Sequence, residues 1–375
     1  MKKILILCES LEIGGAEMAL FTLLTHIKKD KYSITVCSLC DTGYYSDLIK
    51  QIPGIKYRSV LYPCNKGIKK YLYKAKYNII YKILPISLIY KLFIPKNNDV
   101  EIAFCEGFST KILSYSTNIQ CKKIAWVHTD ILHNNWPVSL NVYKDIEEEK
   151  KNYMKYNKII GVSKSVSENL TQFLSNKICT LYNPIDTNRI CKLSEESINY
   201  KFSSDSINIV SIGRLEQVKG YDRLIKICSR LINQDKLNIT LTIIGMGSKY
   251  DDLKMLIDTT RIKLLGSKKN PYPYIKKADL YVCPSYQEGY NIALAEAIVL
   301  GCPCVATKCS GPDEILDNGR YGCLVDNNDD ELYKSLKEII CNANRMQQLK
   351  SLSNKRRSFF DLNRNISQIE SLIDE

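Results

Sequence analysis

Short apolar runs alternate with amphipathic stretches along the whole chain. The apolar runs are four to six residues long and rich in Ile, Val, Leu and Tyr, which predicts strands buried on both faces of a parallel sheet. The stretches between them show helical periodicity. The predicted strands are Lys3–Cys8, Ile34–Leu39, Tyr57–Leu61, Val100–Cys105, Lys123–His128, Ile159–Val162, Ile207–Ile212, Thr240–Ile244, Ile262–Leu265, Leu280–Cys283, Cys304–Thr307 and Tyr321–Val325. This order predicts the α/β class, with the strands in doubly wound parallel sheets.

The chain of 375 residues has the length of two domains. The segment Thr180–Asp186 contains Pro184, which restricts Asn183 to extended geometry and favours a connection. Residues 1–185 hold 26 Lys and Arg against 15 Asp and Glu (+11), and residues 186–375 hold 27 against 25 (+2). We therefore predict a domain boundary near residue 185.

Composition narrows the class of protein. Hydrophobic residues make up 45% and charged residues 25%, as in globular proteins, and no apolar run is long enough to span a bilayer. The apolar start, Met1–Cys8, is too short for a signal peptide, so we interpret it as a strand. The fifteen cysteines are scattered through apolar runs, which indicates buried thiols in a reducing cytoplasm. Cys37 and Cys40 have C-x-x-C spacing, but no second pair accompanies them, so zinc is not expected.

One segment concentrates the positive charge. No acidic residue occurs between Asp47 and Asp99, and residues 66–96 contain eight lysines and five tyrosines among many Ile and Leu. Lysine with tyrosine and large aliphatic residues suits an anionic membrane surface. Two alternatives stay open: a domain helix with a solvated lysine face, and a grip on single-stranded nucleic acid.

The stretch Ala278–Pro303 carries the strongest chemical pattern. A strand is followed by a loop and then by a helix, with Asn291 as its predicted N-cap and Gly301 as its stop. The N-terminus of such a helix favours a phosphate. Glu288 in the loop and Glu296 in the helix bracket this position, so the two carboxylates could bind sugar hydroxyls on either side of a diphosphate. Two solvated surface glutamates are the alternative.

Two further segments have the form strand, glycine turn, helix. Arg214 and Lys219 surround the turn after Ile207–Ile212, where both side chains can converge on a diphosphate. Gly14 and Gly15 precede a helix that follows the first strand. Each signal alone is weak, because exposed basic residues and glycines before helices are common.

Taken together, these motifs resemble the retaining glycosyltransferases of family GT4. The paired glutamates Glu288 and Glu296, the G-R-L…K-G segment from Gly213 to Gly220, and the GGAE segment from Gly14 to Glu17 carry the resemblance. It covers nearly the whole chain, is strongest over Gly213–Val325 and weakest over 44–98.

The resemblance implies the GT-B fold, in which two Rossmann-like domains face each other across a cleft. The expected domains are an acceptor-binding domain over 1–185 and a nucleotide-sugar-binding domain over 186–358, with a last helix at about 359–375 crossing back to the first domain. It implies donor binding by Gly15, Arg214, Lys219, Gly289, Tyr290, Asn291 and Glu296. It also implies that Glu288 and His128 are the catalytic residues and lie at the donor sugar.

The implied activity is sugar transfer with retained configuration from a nucleoside diphosphate, with a UDP-sugar expected. No metal and no other cofactor are expected. The implied acceptor is a glycan or a polyprenyl-diphosphate-linked glycan in cell-surface polysaccharide synthesis. We expect a cytoplasmic enzyme that binds no nucleic acid, and the segment 66–96 would allow peripheral attachment to the inner face of the membrane.

Two rival functions remain open from the sequence. A nucleotide-sugar epimerase of the same fold would need an acid–base set, for which only His128 of the three histidines is well placed. A non-catalytic basic protein that binds membranes or nucleic acid would show no donor turnover and salt-dependent binding.

Overall fold

In the computed structural model of the chain, residues 1–64, 66–174 and 177–375 are described. They divide into two compact units, here called the first unit (1–184 with 363–375) and the second unit (185–362). The sequence placed these boundaries at 185/186 and 358/359. The predicted cleft between the units and their separate binding roles stay predictions.

The first unit is built on a parallel sheet in the order β3-β2-β1-β4-β5-β6-β7. Its order reverses between β1 and β4, which are neighbours in the sheet. Buried aliphatic side chains from these strands form the core with the covering helices. The strands are β1 (Lys2–Cys8), β2 (Tyr32–Cys40), β3 (Ile55–Leu61), β4 (Val100–Ala103), β5 (Lys122–Val127), β6 (Lys158–Gly161) and β7 (Ile178–Thr180).

Helices connect these strands as the alternating pattern predicts. They are α1 (Gly15–His26), α2 (Tyr44–Lys50), α3 (Gly67–Asn78), α4 (Ile86–Phe93), α5 (Phe108–Leu113), α6 (Trp136–Ser139), α7 (Ile146–Tyr153) and α8 (Lys164–Phe173). A single π-helical turn, Ile79–Ile83, continues α3, and Pro85 caps α4. None of the helices in the described part of the chain is long and apolar enough to cross a bilayer.

The second unit repeats this plan with a parallel sheet in the order β10-β9-β8-β11-β12-β13. Here the order reverses between β8 and β11. The strands are β8 (Ile207–Ile212), β9 (Ile239–Ile244), β10 (Ile262–Leu264), β11 (Leu280–Cys283), β12 (Cys304–Thr307) and β13 (Cys323–Val325).

The helices of the second unit cover both faces of its sheet. Leu224, Cys228 and Leu231 of α10 pack into the core with Leu336 of α15. The helices are α9 (Thr187–Leu193), α10 (Tyr221–Asn233), α11 (Tyr250–Met255), α12 (Tyr272–Lys276), α13 (Ile292–Val299), α14 (Ser310–Ile315), α15 (Asp329–Cys341) and α16 (Ala343–Arg356). The last helix, α17 (Leu362–Asp374), belongs to the first unit from residue 363 onward.

The α/β class and the predicted strands are confirmed, with shifts of one or two residues at their ends. The Ser-Gly-Pro sequence at 310–312 is typical of a turn between elements, but these residues form the first turn of α14. Proline is tolerated there, since the first turn needs no intrahelical N–H donors. Short elements such as α5 and β7 were not predicted, because they span too few residues to show a period.

One glycine fixes how two loops of the second unit meet. Gly220 joins the 3₁₀ turn Gln217–Lys219 to α10 and has a left-handed φ of 65°. A Cβ atom at this position would lie 2.0 Å from the carbonyl oxygen of Pro284, in the loop after β11. The two loops can therefore pack together only because residue 220 has no side chain.

Gly220→Ala should destabilise the protein by about 2–5 kcal/mol, because the left-handed backbone costs about 1–2 kcal/mol and the collision with Pro284 adds strain. Gly67→Ala is the matched control, since Gly67 has a similar φ of 56° and a Cβ atom there would meet no atom within 4 Å. The measurement is thermal unfolding by scanning calorimetry. Equal losses in the two variants would show that the Pro284 contact does not constrain the loops.

Candidate functional site

The predicted site residues of the second unit lie at the carboxyl edge of its sheet. The strands β8 and β11 are parallel neighbours, with Leu280 opposite Ile209 and Tyr281 opposite Val210. The chain leaves β8 towards Arg214 and Lys219, and it leaves β11 towards the loop that contains Glu288. Because the strand order reverses between β8 and β11, their carboxyl ends flank the crevice where open α/β sheets bind ligands.

Glu288 is the centre of a hydrogen-bonded cluster in this crevice. Its carboxylate is buried and lies 2.7 Å (Oε1) and 2.8 Å (Oε2) from the ammonium nitrogen of Lys219. The Ser285 hydroxyl donates to Oε1 at 2.6 Å, and the Asn291 amide donates to the same oxygen at 2.8 Å. A buried carboxylate needs such partners, since an unpaired buried charge is strongly destabilising.

Asn291 links this carboxylate to the start of α13. Its side-chain Oδ1 accepts a hydrogen bond from the Leu294 N–H at 2.8 Å, which confirms the predicted N-cap. Its φ of 63° is left-handed, a conformation that asparagine tolerates better than most residues. One side chain therefore caps the helix and binds Glu288 at the same time.

Gly289 and Tyr290 complete the loop before α13, and both are buried. The backbone of Tyr290 packs directly on Gly311 in α14: a Cβ atom at Gly311 would lie 2.3 Å from the Tyr290 Cα. This contact fixes the path of the loop, so the peptide groups that lead into α13 are held in place.

Arg214 and Lys219 occupy different environments. Lys219 ends the 3₁₀ turn and contacts Glu288, whereas Arg214 is exposed. Arg214 lies near Glu216. Partial burial acts to raise the pKa of Glu216, but hydrogen bonds from the Ser248 hydroxyl and N–H lower it overall, and the charge of Arg214 adds a smaller lowering effect. Within the described residues, the structure brings Lys219 but not Arg214 into the hydrogen-bonded cluster around Glu288.

Arg223 supports this loop and was not recognised from the sequence. It is fully buried in α10; its Nε donates to the Pro284 carbonyl at 2.7 Å and its Nη1 to Asn327 at 2.8 Å. Its guanidinium also lies 4.0 Å from the ring centre of Tyr286. Arginine inside an amphipathic helix usually faces solvent, so only the fold reveals that this one holds the loop after β11.

Glu296 lies about one turn after the start of α13 and is buried. The Tyr272 hydroxyl donates to its Oε1 at 2.9 Å. Burial raises the pKa of Glu296 to about 7, although the Tyr272 hydrogen bond and the charge of Arg189 act in the opposite direction. The residue therefore changes its protonation state near neutral pH.

In the first unit, His128 directly follows β5. Its backbone N–H donates to Glu106 at 2.9 Å, and its ring lies between 5 and 6.5 Å from the rings of Phe104 and Trp126. Burial lowers the pKa of His128, so the imidazole is neutral at pH 7. Its Nε2 is buried and has no hydrogen-bond partner among the residues described.

Glu106 organises the chain around His128 and was not predicted. It is buried after β4, and it accepts hydrogen bonds from the His128 N–H, the Thr129 hydroxyl (2.7 Å) and the Trp136 indole (3.2 Å). Its position at the carboxyl end of a strand is the signal that could have identified it.

Gly15 is the first residue of α1, and Gly14 caps the helix in an extended conformation. A Cβ atom at Gly14 would lie 2.3 Å from a carboxylate oxygen of Glu17. The Glu17 side chain therefore folds back over the start of α1, where the helix dipole favours a negative charge.

In the described ranges, no three His, Cys, Asp or Glu side chains lie close enough together to hold a metal ion. The expectation that no metal or other cofactor is needed stays a prediction.

Glu296 should make stability depend on pH. Its folded pKa of about 7 lies above the ordinary 4.5, so the folded protein retains a proton that the unfolded chain loses. The contribution of Glu296 to the free energy of unfolding is therefore greatest below pH 4.5. It falls by on the order of 3 kcal/mol as the pH rises to about 7. Glu296→Gln should remove this fall, and calorimetric unfolding temperatures between pH 5 and 8 measure it.

Glu338→Gln is the control for this experiment, because Glu338 is an exposed glutamate of the same unit. It should leave the pH profile of the wild type unchanged. A constant difference in stability between the wild type and Glu296→Gln across the pH range would contradict the assigned protonation.

Comparisons with known proteins agree with the fold, and a family match covers the residues of this site. Residues 206–342 match the family described as "Glycosyl transferases group 1", a range that contains Arg214, Lys219, Glu288 and Glu296. Among solved structures, HepE of Anabaena, determined in complex with UDP and glucose, aligns over all of both chains with a TM-score of 0.76 and 18% identity. Sucrose-phosphate synthase of Thermosynechococcus elongatus aligns over 99% of this chain and 98% of its own, with a TM-score of 0.78 and 14% identity. These likenesses show the fold, which is GT-B.

Curated relatives carry glycosyltransferase names. A Campylobacter jejuni protein named N-acetylgalactosamine-N,N'-diacetylbacillosaminyl-diphospho-undecaprenol 4-alpha-N-acetylgalactosaminyltransferase is 32% identical over 56% of this chain and 58% of its own length. An uncharacterized glycosyltransferase of Methanocaldococcus jannaschii is 30% identical over 63% and 61%. The alignments thus span about three-fifths of these relatives. The predicted resemblance to glycosyltransferases is confirmed, and residues 206–342 of the second unit match the group 1 glycosyltransferase family.

Proposed function

We propose that this protein is a retaining glycosyltransferase that moves a sugar from a nucleoside diphosphate, a UDP-sugar, to a hydroxyl of a glycan acceptor. The observation that carries the proposal is the ion pair between the half-buried Lys219 and the buried Glu288 at the reversal point between β8 and β11, inside the matched range. The glycosyltransferase names of the relatives support it, and they do not favour an epimerase or a non-catalytic binding protein.

The leaving group of this reaction is a diphosphate that gains negative charge as the glycosidic bond breaks. Lys219 would stabilise this charge, because an ammonium has three N–H donors and can bind a phosphate oxygen while it keeps one bond to Glu288. The exposed Arg214 would close on the diphosphate as a second cation. Backbone N–H groups of Gly289, Tyr290 and Asn291 and the dipole of α13 would add partial positive charge.

Glu288 would bind the donor sugar. Of its four hydrogen bonds in the cluster, three reach Oε1 and only one reaches Oε2. The less occupied Oε2 can accept a hydrogen bond from a sugar hydroxyl. Because Ser285 and Asn291 fix the carboxylate, the sugar would be oriented at little entropic cost.

Glu296 would bind the ribose of the donor nucleotide from its position in α13. Two ribose hydroxyls that donate to the carboxylate would favour its charged form and lower its raised pKa. Binding of the nucleotide would then release a proton near pH 7. The choice of uridine rests on the UDP in the HepE structures of the same fold.

His128 would contact the donor sugar, and Gly15 would contact the phosphates. His128 is suited to accept or donate one hydrogen bond, since its buried Nε2 is unpartnered among the described residues and its ring is neutral. For retention without a separate base, the leaving phosphate oxygen would accept the proton of the attacking hydroxyl on the same face of the sugar. We propose that no metal takes part.

The acceptor would be a glycan linked to a polyprenyl diphosphate, used in the synthesis of cell-surface polysaccharide on the cytoplasmic side of the membrane. The diphospho-undecaprenol in the name of the Campylobacter relative supports this choice. A Rhizobium meliloti relative named lipopolysaccharide core biosynthesis glycosyltransferase LpsE, 27% identical over 36% of this chain, supports it as well.

Lys219→Met and Glu288→Gln should each lower kcat for sugar transfer by about 10²–10³-fold, the usual effect of removing one group that stabilises transition-state charge. Each single change should reduce stability, because Lys219→Met leaves the buried Glu288 carboxylate without its ammonium and Glu288→Gln leaves the half-buried Lys219 ammonium without a counter-charge. The double variant should recover part of this stability but none of the activity. Transfer of radiolabelled sugar and calorimetric unfolding measure the two effects separately.

The control for this pair is Lys249→Met with Asp252→Asn, since these residues form an exposed ion pair of 2.9 Å in the same unit. This variant should retain full activity. Wild-type kcat in the Lys219 or Glu288 variants would refute their assignment to the site, and an inverted anomeric configuration of the product would refute retention.

Donor binding should raise the unfolding temperature of the wild type. A ligand at about a hundred times its Kd adds roughly 2.7 kcal/mol to the stability of the folded state, and this shift is easily detected. We expect UDP-sugars to give the shift, and GDP- and ADP-sugars to give less. The shift should disappear in Lys219→Met and persist in Lys249→Met, and a shift of equal size in both variants would place the nucleotide elsewhere.

A further inference from the structure

The helix α3 has an apolar face that points away from the core of the first unit. Ile68, Tyr71, Leu72 and Ile79 are spaced by three, four or seven residues and therefore lie along one side of the helix. Their exposed fractions are 78%, 72%, 64% and 43%. We call this surface, together with Ile83 (70% exposed) of the π-helical turn, the apolar face.

The opposite side of the same segment attaches it to the unit. Ile80 is buried, Tyr73 packs against the core, and Tyr77 stacks on Tyr81 with 4.5 Å between the ring centres. The Lys76 ammonium donates to the Val60 carbonyl at 2.6 Å. The segment is therefore held in a fixed orientation, and the apolar face stays in contact with solvent.

Positive charge flanks the apolar face. Lys69 and Lys74 lie on the two sides of it around the helix, Lys70 lies further towards the back, and all three are exposed. None of them forms an ion pair with any residue that the structure describes. The sequence contains no acidic residue between Asp47 and Asp99 to neutralise them.

We propose that the apolar face inserts into the surface of an anionic lipid bilayer, with Lys69, Lys70 and Lys74 on the headgroups and Tyr71 at the boundary between headgroups and hydrocarbon. An amphipathic helix that lies in the interface buries its apolar side chains about 5–10 Å deep, which suits this single row of residues. This attachment stands independently of the proposed sugar transfer, because it needs neither donor nor acceptor.

The composition of the face distinguishes a bilayer from other occupants. A domain helix with a solvated lysine face would bury its large aliphatic side chains, whereas here Ile68 and Leu72 are exposed as well as the lysines. Nucleic acid would leave these aliphatic side chains without apolar partners. A second copy of the chain would bring like-charged lysines together around a symmetric contact. An anionic bilayer offers hydrocarbon to the apolar row and anionic headgroups to the lysines.

The test is co-sedimentation of the full chain, without donor, with vesicles of phosphatidylcholine alone or mixed with phosphatidylglycerol. The wild type should bind the mixed vesicles and bind phosphatidylcholine much more weakly. Ile68→Ser with Leu72→Ser should weaken binding by at least about a hundred-fold, since each large aliphatic side chain contributes roughly ten-fold or more on burial. Changing Lys69, Lys70 and Lys74 to Gln should also weaken binding to the mixed vesicles by about a hundred-fold, at about five-fold per lysine.

Matched controls separate this face from surface properties in general. Ile119→Ser with Leu140→Ser removes two apolar residues of the same unit that are at least as exposed as Ile68 and Leu72. Changing Lys201, Lys226 and Lys254 to Gln removes the same charge from the second unit. Both controls should bind like the wild type. The variants of the apolar face should keep the wild-type unfolding temperature, because α3 has no buried residue.

Several results would overturn the proposal: no binding of the wild type to mixed vesicles, equal losses in the controls, or loss with the lysine changes but not with the serine changes. Tight binding of a single-stranded oligonucleotide, or self-association that the serine changes abolish, would assign the face to another partner if vesicle binding were absent. If vesicles bind but no sugar is transferred to any acceptor, only the proposed activity fails.

Discussion

The site depends on one constraint: a carboxylate that is buried at the edge of a sheet must be fully paired. Glu288 is placed in this position by the loop after β11, and its partners come from three different places in the chain. Lys219 approaches from the turn after β8, Ser285 from the same loop, and Asn291 from the cap of α13. If any of these elements moved, a buried charge would lose a partner, so the carboxylate fixes the geometry of the crevice.

The supporting contacts follow from this requirement. Gly220 allows the turn that carries Lys219 to touch Pro284, and Gly311 allows the Tyr290 backbone to touch α14. Arg223 binds the Pro284 carbonyl from inside the unit. These contacts are made by backbone atoms and by side chains outside the crevice, and they leave the cluster itself available for a ligand. A rigid support of this kind is what a site needs to orient a substrate.

The two glutamates of the loop and helix show how partners decide the behaviour of a buried acid. Glu288 is paired with an ammonium, an amide and a hydroxyl. Glu296, eight positions later in the chain, has the Tyr272 hydroxyl as its hydrogen-bond partner, and its pKa rises to about 7. In the proposed reaction, this difference suits Glu288 to hold a sugar throughout the cycle and Glu296 to change its protonation when a nucleotide binds.

The sequence by itself determined the α/β class, most of the strands, the cap at Asn291 and the residues at the ends of β8 and β11, because these depend on local periodicity and on short-range hydrogen bonding. It could not determine that Lys219 pairs with Glu288, that Arg223 is buried, that Glu106 holds the chain at His128, or that Ile68 and Leu72 face outward on α3. Each of these facts depends on which elements the tertiary fold packs against each other, and residues far apart in the chain become neighbours only when the sheet order and the helix orientations are set. Local pattern gives each element its type, whereas only the packing decides which of its side chains are buried and paired.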